Sequence, residues 1–175
     1  MQKITTTRNI SFRLVTPADS DFILQLRLNE RKNKYLSSVE NDMRKQQLWL
    51  EDYKAREQKG LEYYYIIQDK TGEDIGLVRL YDFHGDTCTW GSWQLVENAP
   101  LYAAIESALL IHEIAFCRLN FKKCKGAIMK GNDSVLKFHL NYGFQMTHED
   151  HTFYHLYLDH NAFEETKRKY RRFLK

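Results

Sequence analysis

Apolar and polar residues alternate from Ile10 to Val15, the period of a half-buried strand. The nine residues before it are polar and read as a frayed end. Thr16-Pro17-Ala18-Asp19-Ser20 carries helix-starting residues with an early proline, and Phe22, Ile23 and Leu26 follow at helical spacing. A polar, mostly basic loop spans 29–34. Ser37 and Glu40 have capping-box spacing ahead of a second helix through Leu48, Trp49, Leu50 and Tyr53, which Gly60 ends. Tyr63 to Ile67, Ile75 to Phe83 and Thr87 to Val96 read as three strands of an antiparallel meander, with turn chemistry at 69–73 and 84–86.

Glu97-Asn98-Ala99-Pro100 breaks that pattern. Leu101 to Leu119 is then apolar around much of its circumference, as a helix buried against a sheet would be. Lys123 to Met129 is a short strand. Asp133 to Tyr142 is an amphipathic helix with Asn132 at its head and Gly143 as its stop. A hairpin, 145–149 and 152–158, turns at Asp150-His151, and a last helix covers 161–174. The polarity of that helix, acidic at Glu164 and Glu165 and basic at its end, complements its dipole.

Composition narrows the class. A chain of 175 residues with 43% hydrophobic and 28% charged positions fits one globular domain, 1–175, with a core over about 10–158 and a C-terminal helix over 159–175. A net charge of +3 is too mild for a nucleic-acid footprint. No apolar run has signal or membrane-span character, so a cytoplasmic protein with no membrane partner is expected. Cys88, Cys117 and Cys124 lack metal spacing, and Cys117 and Cys124 read as buried free thiols.

The run Asn132-Asp-Ser-Val-Leu-Lys-Phe-His-Leu-Asn-Tyr-Gly143-Phe144, an asparagine, apolar pair and aromatic closing on Gly-Phe, resembles the C-terminal signature of the GNAT family of acetyl-CoA-dependent N-acetyltransferases. The element order β-α-α-β-β-β-α-β-α-β-β is also that of the family. The resemblance covers about residues 10–158. It implies an α/β (α+β) fold with a central mixed twisted sheet of six to seven strands flanked by helices, here with an extra C-terminal helix. It also implies acetyl-CoA as donor, no metal, and direct attack of a primary amine on the thioester.

Site roles follow from that likeness. The donor would meet Gln94, Leu95 and Val96 of the fourth family strand, whose main chain holds the oxyanion. It would also meet Tyr102, Ala103, Ala104 and Ile105 at the pyrophosphate turn, and Asn132, Ser134 and Phe138 of the signature helix. The usual glycines of the pyrophosphate turn are absent, and Glu106 would repel phosphate unless it faces away. The family's tyrosine acid is replaced by His139, with Tyr142 as the second choice. Glu97 is the first candidate base, followed by His84 and Asp82, and water alone could also deprotonate the amine.

For the acceptor the likeness points to Arg27, Asn29, Lys34, Tyr35, Tyr81 and Trp90. Basic residues with Asn and Tyr suit a phosphate-bearing ligand. The odd spacing of Trp90 and Trp93 places them on opposite strand faces. The best acceptor is a nucleotide-linked aminodeoxy sugar of surface-glycan biosynthesis, with a monomeric or homodimeric enzyme. A protein N-terminal acetyltransferase of the ribosomal-protein type is the nearest competitor. A GNAT-fold binding module without catalysis, using the basic run Lys167 to Arg172, is the third reading.

Overall fold

The structure, a computed structural model, describes residues 5–29, 35 and 40–174. The expected capping residue Ser37 and the acceptor candidate Lys34 lie outside them. One mixed sheet runs in the order β1 (Thr5–Thr6), β2 (Ile10–Leu14), β3 (Tyr63–Asp69), β4 (Asp74–His84), β5 (Thr87–Leu95), β6 (Lys123–Met129), β8 (Phe153–Asp159), β7 (Gln145–Glu149). It has seven strands of ordinary length and a two-residue edge strand. Helices α1 (Ser20–Leu28) and α2 (Met43–Gln58) follow β2, α3 (Leu101–Glu113) links β5 to β6, α4 (Asp133–Tyr142) follows β6, and α5 (His160–Lys169) follows β8.

The period-two pattern distributes side chains to both faces. Tyr64, Ile66 and Leu77 pack with Ile23, Leu26, Leu50 and Tyr53 of α1 and α2. Tyr65, Ile67, Val78 and Leu80 pack on the other face with α3 and with Phe163 of α5. Every residue of α3 from Ile105 to His112 is buried, so its apolar circumference is used in full. Each fully buried Ile or Leu there contributes about 1.5–3 kcal/mol. The helix continues into a π turn, Ile114–Arg118, that leaves Cys117 exposed. The expectation of a buried Cys117 therefore fails, whereas Cys88 and Cys124 are buried as register partners across β5 and β6.

All neighbouring strands are antiparallel except β5 and β6. Their parallel pairing covers only Thr87↔Lys123, Cys88↔Cys124 and Thr89↔Lys125. Beyond Thr89 the strands separate, and α3 and α4 both begin past their C-terminal ends. A bulge in β5 lies just beyond the parting: Arg79 pairs with Gly91 but Leu77 with Gln94, and Ser92 takes φ +49°. The extra residue cancels the odd spacing of the two tryptophans. Trp90 and Trp93 therefore share a face, with ring centroids 5.0 Å apart, against the expectation of opposite faces.

The polar N-terminus is not frayed from Thr5 onward. Thr5 and Thr6 pair with β2, and the next residues bind Glu106. The Glu106 carboxylate is fully buried, accepting from the Thr7 hydroxyl at 2.6 Å, the Asn9 main-chain N–H at 2.9 Å and the Asn9 side-chain amide at 2.6 Å. Hydrogen bonds to a charged group contribute roughly 1.5–3 kcal/mol each, and orphaned donors are costly. We expect Glu106→Leu to destabilise the protein by about 3 kcal/mol or more, read as a lower urea midpoint. An unchanged midpoint would show that the three bonds contribute nothing net.

Candidate active site

The mouth between β5 and β6 is walled by aromatic rings. Trp90, 4% exposed, lies across it; a Cβ built on Gly126 of β6 would come within 3.1 Å of the Trp90 Nε1. A larger residue at 126 would push the indole out. Trp93 donates from Nε1 to the Ser107 hydroxyl at 3.0 Å and packs on Phe138 of α4 at 5.1 Å. The two tryptophans thus tie β5 to α3 and α4. Trp90, expected from the sequence to meet the acceptor, is buried against the rings of Trp93, His139 and Phe144.

Signature helix α4 starts at Asn132 and stops at Gly143, whose φ of +128° favours glycine. The Asn132 side chain makes no cap bond to the helix. Ser134 is exposed, Phe138 is half-buried against Trp93, and His139 turns inward. His139 is 4% exposed, between Trp90 at 5.1 Å and Phe144 at 5.0 Å. Its Nδ1 lies 2.7 Å from the Val135 carbonyl. A carbonyl only accepts, so Nδ1 carries the proton and Nε2 the lone pair. Burial brings the His139 pKa down to about 4 despite that bond. At neutral pH the ring has no second proton to give, and the general-acid role expected for it is not supported.

Tyr142 fares no better as an acid. It is fully buried, its hydroxyl sits 3.2 Å from His112 Nδ1, and burial raises its pKa well above the ordinary tyrosine value. His112, on the buried circumference of α3, is the deeper of the two histidines. Its Nδ1 bonds the Ala108 carbonyl at 2.7 Å, its Nε2 is unpartnered, and desolvation brings its pKa to about 3.

The pyrophosphate turn begins at Pro100, which caps α3 without a side-chain bond. Ala103 N–H donates to the Pro100 carbonyl at 2.8 Å. The Leu101 and Tyr102 amides precede the first intrahelical donors, where a helix end presents N–H groups and positive dipole to an anion. Leu101 is fully exposed, Tyr102 and Ala104 are half-buried, and Ala103 and Ile105 are buried. The small side chains at 103 and 104 keep the turn open, and Glu106 faces away toward Asn9. The residues present therefore fit a pyrophosphate. Just past β5, the Val96 amide is committed to the Ile75 carbonyl at 2.9 Å. This removes Val96 from the expected oxyanion donors. The Gln94 side chain is buried and donates to the Leu26 carbonyl at 3.3 Å, joining β5 to α1.

On the α1 face a cleft of about 190 Å³ is lined by Phe22, Gln25, Leu26, Asn29, Val96 and Glu97. It unites Asn29 and Glu97 from the expected set. Phe22 and Gln25 were missed as site residues, although the spacing of 22, 25, 26 and 29 places all four on one helix face. Arg27 is half-buried, and its charge acts on the Tyr64 hydroxyl on that face of the sheet. Tyr35 lies against Gly131, 3.5 Å from where a Cβ would stand, which puts its ring near the head of α4. Tyr81 lies under the Arg79 guanidinium at 4.8 Å and over Gly91. His84 and Asp82 sit at the hairpin end of β4, opposite the start of β5. Nearly the whole of β5, roughly 25 Å at about 3.3 Å per residue, separates them from Glu97. Of the three candidate bases, Glu97 is the one that lines the cleft beside α1.

A family profile for the acetyltransferase (GNAT) domain matches residues 9–145. The chain belongs to the GNAT acetyltransferase family. A solved structure described as apo FdhC, a nucleotide-linked sugar GNAT, is 40% identical over 100% of both chains, with a TM-score of 0.92. Spermidine N-acetyltransferase from Vibrio cholerae, in complex with CoA and spermine, superposes with a TM-score of 0.74 at 18% identity, over 89% of this chain and 98% of that one. Ribosomal-protein-S5-alanine acetyltransferase from Vibrio fischeri gives 0.78 at 12% identity, over 93% and 99%. These last two likenesses establish the fold alone. A search of curated proteins gave no match. In this GNAT chain no helix among the described residues is long and apolar enough to cross a membrane.

The buried histidines make this GNAT domain sensitive to acid. Above the ordinary histidine pKa of 6.5, folded and unfolded states are both neutral and nothing is lost. Below it the unfolded chain takes up protons that the folded His139 refuses until about pH 4. The His139 contribution therefore falls as pH drops through that window and levels below it, while His112, held down to about 3, extends the loss further. We expect His139→Gln to remove about 3 kcal/mol of the loss between pH 7 and pH 4, measured as a shallower dependence of the urea midpoint on pH. An unaltered slope would place the acid sensitivity elsewhere.

Proposed function

We propose that the protein transfers an acetyl group from acetyl-CoA to the amine of a nucleotide-linked aminodeoxy sugar. The observation that carries this reading is the 40% identity over the full length to the nucleotide-linked sugar GNAT. The parting of β5 from β6, with two helix N-termini opening on it, supports the donor half. The cleft between α1 and the end of β5 supports the acceptor half.

In this reading the Leu101 and Tyr102 amides bind the pyrophosphate, with Ala103, Ala104 and Ile105 shaping the turn. Asn132, whose side chain is not spent on capping, binds the pantetheine arm beside Ser134 and Phe138. The main chain at Gln94 and Leu95 faces the reacting carbonyl. Phe22, Gln25, Asn29 and Tyr35 hold the sugar and base, while Arg27, Lys34 and Tyr81 serve the phosphate-bearing part. Glu97 accepts the proton of the ammonium, and the amine attacks the thioester carbonyl directly. With His139 neutral and Tyr142 enclosed, the leaving thiolate takes its proton from solvent. The orientation of Glu106, away from the helix head, favours donor binding over a catalytically silent binding module.

The test is calorimetric titration with acetyl-CoA, followed by nucleotide-linked amino sugars and basic peptides in the same sample. We expect donor binding and turnover of the sugar class. Turnover of peptides alone would overturn the acceptor assignment, and no donor binding at millimolar acetyl-CoA would overturn the donor site. Glu97→Gln is expected to lower kcat by about 10²–10⁴ with donor binding retained. A variant with kcat within twofold of the parent would leave deprotonation to water. Asn132→Ala should weaken acetyl-CoA binding; an unchanged donor titration would sink that contact.

A further inference from the structure

On the side of α3 away from the mouth, the π turn meets the start of α5. Cys117 is exposed there, and its neighbours on α5 are His160 and Glu164. The thiol sulfur, an imidazole nitrogen and a carboxylate oxygen all lie within 4.8 Å of one another. His160 Nε2 is already 3.6 Å from Glu164 Oε1. In a tetrahedral zinc site, with Zn–S about 2.3 Å and Zn–N or Zn–O about 2.0–2.1 Å, neighbouring ligand atoms stand about 3.3–3.7 Å apart. The pair on α5 has that spacing, and rotation of the exposed cysteine side chain supplies the rest.

The site is framed on both sides. The His160 ring stacks on the buried Phe116 ring, centroids 5.7 Å apart at 15°, which fixes the imidazole plane. Asp159 caps α5 by accepting from the Ala162 N–H at 2.9 Å, so the helix turn carrying both ligands is anchored. Glu113, one turn before Cys117, adds a second carboxylate. Lys167 Nζ bridges Glu113 Oε2 at 2.9 Å and Glu164 Oε1 at 3.2 Å, so a cation already answers part of the negative field.

We propose that Cys117, His160 and Glu164 bind a zinc ion that clamps the π turn to the C-terminal helix, independently of acetyl transfer. One thiolate, one imidazole and one carboxylate are a zinc donor set and a poor one for magnesium or calcium. On binding, the zinc–sulfur bond replaces the thiol S–H, and that proton leaves to solvent. Lys167 keeps Glu113 and releases Glu164. Water completes the coordination.

The full chain is stripped with EDTA and titrated with Co²⁺, then with Zn²⁺. Expected are a thiolate-to-cobalt charge-transfer band and the ligand-field bands of a tetrahedral ion, both erased by Zn²⁺, together with a higher unfolding midpoint in Zn²⁺. Cys117→Ser and His160→Gln should each lose the charge-transfer band or its tetrahedral pattern, with an unchanged unfolding midpoint in EDTA. Lys167→Met, which removes the competing cation, should tighten Zn²⁺ binding by about tenfold. No charge-transfer band, or a band that survives in Cys117→Ser, would overturn the site.

Discussion

The separation of β5 from β6 after three paired residues is the constraint on which the rest of the molecule depends. Parallel strands that part expose main-chain groups on their facing edges, and such groups are costly unless something binds or covers them. The fold meets that demand with rings. Trp90 lies against Gly126, Trp93 is fixed to Ser107, and His139 and Phe144 close the base of the opening. The bulge at Ser92 makes this arrangement available, because without it the two indoles would point to opposite sides of the sheet. The two helices that begin past the parted ends then have their amide ends beside one opening.

Much of this order was legible in the sequence. Alternation marked β2, the apolar circumference of Leu101 to Leu119 marked a buried α3, and Asn132 and Gly143 marked both ends of α4 to the residue. What stayed hidden depends on parity and depth. No turn signal announces a positive φ at Ser92, so counting along β5 gave the wrong faces for Trp90 and Trp93. A histidine at position 139 looks identical in sequence whether wet or enclosed, and its enclosure comes from rings on β5 and from the chain after α4. Thr5–Thr6 is too short to leave a periodic pattern, and it pairs because β2 offers an open edge.

Glu106 illustrates how distant chain segments set the electrostatics of a binding turn. A carboxylate in the second turn of α3 is compatible with an anion at that helix's head because Thr7 and Asn9 hold it on the opposite side. The polar N-terminal residues that read as frayed therefore fix the charge beside the turn proposed to hold the donor. Trimming the chain through Asn9 would leave every candidate catalytic residue in place. It would also free a negative charge beside the turn proposed to bind phosphate, so the expected consequence is weakened donor affinity with the acceptor cleft intact.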